Sequence, residues 1–231
     1  MMPATIRATL FLVSISFLCT LFLPACLTSR KIDKWVDKKY SETVATPVKK
    51  NHDYLAVTTT LPTADEKSST TQQTHNSLLP LLFYWRWHIT NTCTLNPKIP
   101  YNNFTNSALS YANSKGLKSK LNGRRIELEV KQLPYMFAVD DISQMVWVIY
   151  AFGWDNFSVI PVANNMVVSY KIMEQNTEIK EGVITIADAC KPIQLKMFQS
   201  IKKKTWMYID QYNDNITAMS KKVVDSLITT L

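Results

Sequence analysis

The amino-acid sequence predicts an α+β fold: a mainly antiparallel sheet with two helices packed on one face, the second a long carboxy-terminal helix. Three observations carry this expectation. Strand-like segments crowd the middle of the chain, one amphipathic helix precedes most of them, and another closes the chain. Helices segregated from a run of strands indicate an α+β layer structure rather than alternating α/β units. The 231 residues are 46% hydrophobic and 19% charged, a globular composition with room for one domain plus appendages.

Residues 1–25 read as a signal peptide, 26–52 as a tether and 53–231 as a single domain. The stretch 27–50 is polar and lysine-rich, and its only large apolar groups are Trp35 and Tyr40, so its end is expected to dock through Trp35. Tyr54–Leu61 is rich in β-branched residues and reads as a strand that Pro62 stops. Residues 63–77 are low-complexity and polar, the composition of a mobile loop. In Leu78–Thr94 a period of two places Phe83, Trp85, Trp87 and Ile89 on one face, toward the core, and Tyr84, Arg86 and His88 on the other. Asn96–Asn103, with Pro97 and Pro100, is expected as a loop.

A helix follows over about Phe104–Leu121, where Phe104, Ala108, Tyr111 and Ala112 share a face and Gly116 ends or kinks it. Asn122-Gly123 turns the chain into Arg124–Lys131, whose alternation points Ile126, Leu128 and Val130 inward. Further strands are expected over Gln144–Phe152, over Phe157–Tyr170 with a break near Asn164-Asn165, and over Val183–Ala187. Met145–Trp154 is uncharged and too short to span a bilayer, so it reads as a central strand. Ile209, Tyr212, Ile216, Met219, Val223 and Leu227 then recur at helical spacing, the buried stripe of the last helix.

Several function classes are excluded by composition. Four glycines, at 116, 123, 153 and 182, are never closer than seven positions, which removes the phosphate-cradling and nucleophile-elbow motifs. Histidines at 52, 75 and 88 contain no H-E-x-x-H, and cysteines at 19, 26, 93 and 190 contain no C-x-x-C. No cofactor and no metal site is therefore expected. The formal net charge is +8, and loss of Arg7 with residues 1–25 leaves 25 basic and 18 acidic residues, or +7. A basic surface on an exported protein favours anionic lipid headgroups over nucleic acid.

A few side chains carry chemistry on their own. Tryptophan faces and an arginine fork in Trp85-Arg86-Trp87-His88 make a ligand platform conceivable, but alternation turns both tryptophans inward. Arg86 and His88 on the opposite face, with Trp154 and Trp206, are the candidate contacts for a ligand or partner. His88 has no evident acid–base partner in the sequence. Asp140-Asp141 fits a turn better than an acid–base pair, since neighbours on a strand face opposite ways. Lys202-Lys203-Lys204 reads as a solvated helix start. Cys93 and Cys190 either form a disulfide in an oxidising compartment or stay two separate buried thiols.

The amino terminus holds the strongest pattern. Arg7 precedes the apolar run Leu10–Leu23, which has the length of a secretory hydrophobic region and is short for a membrane span. Leu23-Pro24-Ala25-Cys26 resembles the lipobox of bacterial lipoproteins. That resemblance implies acylation of the Cys26 thiol and cleavage before it. It also implies a membrane-anchored lipoprotein of the Gram-negative envelope, periplasmic or at the outer membrane, with membrane lipid as its partner.

Phe104-x-x-x-Ala108-Leu109, Leu117-x-x-x-Leu121, Gly123–Val130 and Lys221-Lys-Val-Val224 resemble the auxiliary lipoproteins of Gram-negative ABC transport systems over about half of the mature chain. This implies a non-catalytic accessory or binding component of an envelope transport or assembly complex. Two alternatives stay open: a carbohydrate- or lipid-binding lipoprotein using exposed aromatics such as Trp154 and Trp206, or a lipoprotein hydrolase using His88. The oligomeric state is not legible.

Overall fold

A computed structural model describes residues 28–45, 50–62, 67–162, 164–195 and 199–231. The expected signal peptide and Cys26 lie outside these residues. The chain is α+β, mostly antiparallel, and ends in a long helix, as expected. The strands, however, form two sheets, and four helices are described. In order these are α1 (Ser29–Ala45), β1 (Leu55–Thr59), β2 (Ser69–Pro80), β3 (Tyr84–Leu95), α2 (Lys98–Ser114), α3 (Leu117–Lys120), β4 (Arg125–Gln132), β5 (Met136–Trp147), β6 (Ala151–Pro161), β7 (Met166–Glu174), β8 (Thr177–Ile186), β9 (Ile193–Gln194) and α4 (Ile201–Thr230).

The first sheet has the order β1-β4-β7-β8, with only the β1–β4 pair parallel; the second has the order β2-β3-β5-β6-β9, antiparallel throughout. Alternation in β4 works as the sequence predicts, and Ile126, Leu128 and Val130 are fully buried. Gly116 takes φ +64 and ends α2, while Asn122 and Gly123, at φ 49 and 87, turn the chain into β4. A positive φ at two successive positions is the geometry that Asn-Gly supplies at low cost. The β7–β8 hairpin makes the same kind of turn with Gln175 and Asn176, at φ 48 and 68.

Helix α4 buries Ile209, Tyr212, Ile216, Met219, Val223 and Leu227, the stripe that the spacing predicts. It packs along α2 and touches β6 and β9 of one sheet and β8 of the other, so it closes the core between them. The Tyr212 hydroxyl is buried and donates to the Pro134 carbonyl at 2.6 Å.

Three expectations are corrected. Within the tether expected over 26–52, Ser29–Ala45 is a docked helix: α1 buries Ile32, Val36 and Tyr40, spaced four apart, and half-buries Trp35. One narrow apolar stripe is enough to dock a helix whose other faces are lysine-rich, and composition averaged around the helix hides it. Asp33 secures the contact by accepting hydrogen bonds from Ser69 Oγ (2.8 Å) and Thr71 Oγ1 (2.6 Å), and Asp37 accepts from the Ser68 N–H at 3.3 Å.

The expected loop over 63–77 is strand β2 from Ser69 on. It is the edge of its sheet and exposed beyond Thr71, so polar threonines and glutamines suit it. Finally, α2 begins at Lys98, inside the segment expected as a loop, with Pro97 at its N-cap and Pro100 in its first turn, where the missing N–H groups do no harm.

Candidate functional site

Beyond the level of Asn91, the second sheet leaves the body of the molecule as a four-stranded arm made of two hairpins side by side. In the first, Leu81 N–H donates to Tyr84 O at 2.8 Å and closes a turn over Leu82-Phe83. In the second, Trp147 pairs with Ala151 around Val148-Ile149-Tyr150. The hairpins are joined through β3 and β5, with Tyr84 opposite Val146 and Trp147 N–H donating to Phe83 O at 2.8 Å.

Directly opposed residues in a ladder share a face. One face of the arm therefore carries Leu78, Pro80, Trp85, Trp87, Met145 and Ser143, and the other carries Leu79, Arg86, His88, Gln144 and Trp154. The first face is a continuation of the core: its β3 residues Cys93 and Leu95 are buried beneath α1 and the body, as are Phe137, Val139, Phe157 and Val159. Past Ile89 no described residue covers it, and Trp85 and Trp87 are 43% and 46% exposed. Both tryptophans do point to the core side, as alternation predicts, but the strand has outrun the core. The central strand expected over Met145–Trp154 is instead the end of a hairpin, with Trp147, Val148, Ile149, Tyr150, Phe152 and Trp154 all exposed.

Among the described residues the turns hold the most exposed large apolar side chains, Leu82 at 85% and Ile149 at 82%. Turns are ordinarily built from Gly, Pro, Asn, Asp and Ser. Turns made of leucine, isoleucine and aromatics, contiguous with four exposed tryptophans, are the candidate interaction surface.

The sequence-predicted contacts divide accordingly. Arg86, opposite Gln144 and through it Trp154, shares the arm's second face with His88. His88 Nε2 lies 3.4 Å from Asp140 Oδ1, to which Thr90 Oγ1 donates at 2.6 Å, and its ring rests 4.6 Å from that of His75. Asp140 and Asp141 lie within β5, not in a turn, and do face opposite ways. Burial and the neighbouring Asp155 carboxylate push the Asp141 pKa above its ordinary value.

Trp206 belongs elsewhere. It sits half-buried on α4, donates from Nε1 to the Trp35 carbonyl at 3.1 Å, and receives the Lys202 ammonium 4.7 Å from its ring. Cys93 and Cys190 are free thiols in different surroundings: Cys93 beside Ser69 and Thr71 under α1, Cys190 beside Asp188 and Tyr208. Burial pushes each thiol up to about 12, which keeps both protonated at neutral pH.

Two cavities of about 370 and 440 Å³ border α2 and α4, lined mainly by asparagine, serine and threonine, and neither reaches the arm. Among the described residues no group of three His, Cys, Asp or Glu side chains is placed to hold a metal ion, and no helix is long and apolar enough to cross a membrane.

Sequence reasoning reached Arg86, His88 and Trp154 but missed Leu81, Leu82, Phe83 and Trp147–Tyr150. The available signal was the near-absence of charge: Arg86 is the one charged residue in 78–87 and 144–154 together. Comparison with known protein families, with curated proteins and with solved structures finds no match to this chain.

Proposed function

We propose that the protein is a lipid-anchored, non-catalytic component of the bacterial envelope. It is held to a membrane by acylated Cys26 and serves a transport or assembly complex as an accessory or binding part. The observation that carries the reading is the arm, which spends two hairpins and four tryptophans on exposed apolar surface while the body buries its apolar side chains in one cluster. An enzyme needs converging polar groups in a concave site. His88 instead shares Asp140 with Thr90 on an open sheet face, an arrangement that ties strands together.

A second reading, a lipid-binding lipoprotein, is favoured by Trp154, which stands exposed next to the apolar turns. Acyl labelling in cells followed by mass spectrometry of the mature amino terminus tests the anchor. Wild type is expected to begin at acylated Cys26 and to stay with membranes, and Cys26→Ala to lose the label. An unmodified terminus, or residues 1–25 still attached, would overturn the reading.

A further inference from the structure

The arm has apolar side chains on both faces and around both turns. Leu78, Trp85, Trp87 and Trp147 project on one side, Leu79, Phe152 and Trp154 on the other, and Leu82, Phe83, Val148, Ile149 and Tyr150 cap the tip. A protein partner, or a second copy of this chain, covers one face of a two-faced sheet. A tip that carries apolar side chains on both faces matches a medium that surrounds it, which is lipid.

The chain's entry point agrees. Ser29 Oγ donates to Asn91 Oδ1 at 3.0 Å, so α1 starts at the base of the arm on its core-side face. From there α1 runs away from the tip, because Asp33 meets Ser69 and Thr71 and Asp37 meets Ser68, successively farther down the sheet. Three residues of chain separate Cys26 from Ser29, a reach of at most about 11 Å. Trp87 is four residues from Asn91 toward the tip, roughly 14 Å at ~3.4 Å per residue. A bilayer surface crossing the arm near Trp87 is therefore within reach of an acyl group on Cys26.

We infer that the paired-hairpin arm is a membrane-dipping element, seating its two turns in the interfacial layer of the same bilayer that holds acylated Cys26. This rests on the anchor reading above and adds a second, non-covalent contact with the lipid. The depth is set by opposing effects. Tryptophans at 85, 87 and 154, on adjacent rungs of the ladder, form the aromatic collar that sits at headgroup level, and Trp147 lies at the tip beside Phe83. Arg86 carries its guanidinium on a stem long enough to reach the phosphates. Asp140, Asp141, Asp155 and His88 lie at or below the Trp87 level, toward the body.

In the arm β2 is an edge strand, and among the described residues β6 is paired on its outer side at Val159 and Ser158 by β9 and at Phe157, whose carbonyl accepts from the Leu195 N–H at 2.7 Å. Unpaired backbone groups do not tolerate the hydrocarbon interior. Insertion therefore stops about 5–10 Å into the headgroup and acyl boundary and does not span the membrane.

The test uses the full acylated protein reconstituted in phosphatidylethanolamine/phosphatidylglycerol vesicles whose acyl chains carry bromines near the headgroup. Four of the six tryptophans are on the arm and the other two, Trp35 and Trp206, pack together on the body. Emission is expected to fall by roughly half relative to unbrominated vesicles, with a blue shift. Leu82→Glu/Ile149→Glu is expected to abolish most of that loss while the acylated protein still sediments with the vesicles.

Vesicle-bound protein with unquenched emission would overturn the inference and leave the anchor standing. Protein that does not associate with vesicles would overturn both. A nitroxide on Ile149→Cys, read for depth, tests the same seating without charge at the tip. A label 5–10 Å below the phosphates supports interfacial seating. A label in water, or one lying at the bilayer centre, overturns it.

Discussion

Replacing Ile32 by alanine asks whether α1 is part of the folded body or a lysine-rich tether resting on it. Ile32 is fully buried, one turn before Val36, which is also fully buried. The change removes three carbons, worth about 2.4 kcal/mol at ~0.8 kcal/mol per buried CH₂. If partial collapse leaves a cavity of roughly 40 Å³, about 1 kcal/mol is added at ~24 cal/mol per Å³. The expected loss is thus about 3 kcal/mol, a substantial part of the ~5–15 kcal/mol that holds a domain together.

Urea unfolding followed by far-ultraviolet circular dichroism reads this as a lower midpoint at unchanged slope. The melting temperature should fall by about 6–12 °C, at ~2–4 °C per kcal/mol for a chain of this size. Asp33→Ala should act in the same direction by about 1–3 kcal/mol, because it leaves two nearly buried hydroxyls, Ser69 and Thr71, without their acceptor. If both variants unfold within about 0.5 kcal/mol of wild type, the range of ordinary surface substitutions, α1 is not integral and the reasoning fails.

Two further outcomes are expected. A Cβ at Gly182 would lie 2.6 Å from Tyr170 Oη and 2.7 Å from Cζ, since the ring lies over the glycine directly across the ladder. Gly182→Ala should therefore cost about 1–3 kcal/mol by displacing that ring. In a Tyr170→Ala background the same change should turn neutral or favourable, because glycine in a strand is itself unfavourable; an unchanged cost in the double-mutant cycle would refute the contact.

Asp141 has a folded-state pKa raised by burial and by Asp155. The folded state therefore binds its proton more readily than the unfolded chain does. Stability associated with this group is present at low pH and is lost as pH rises through the folded value. Asp141→Asn should be more stable than wild type at neutral pH, with the difference closing as pH falls through the acidic range. A pH-independent difference between their denaturation midpoints would contradict this assignment.

The part of the fold legible in the sequence was the part governed by local periodicity. Ile126, Leu128 and Val130 alternate because one side of β4 is buried and the other is not, and the stripe from Ile209 to Leu227 repeats because α4 buries one side. Gly116 and Asn122-Gly123 were readable as breaks because few residues accept a positive φ. For the candidate site, the orientation of Trp85 and Trp87 relative to Arg86 and His88 followed from a period of two. What those faces meet did not.

Tertiary structure alone decided the rest, since burial depends on which strands and helices happen to lie alongside. The uncharged run from Met145 to Trp154 has the composition of a central strand, yet it is a hairpin end, because β3 and β5 continue about seven residues past the cover of α1 (~24 Å at ~3.4 Å each). Ile32, Val36 and Tyr40 are too few to colour a lysine-rich segment, yet Asp33 and Asp37 find their partners at the start of β2 and on the residue before it, more than thirty residues away. Period and turn chemistry are properties of neighbouring residues and are written along the chain. Whether an apolar face becomes core or surface is set by long-range pairing, which no local window contains.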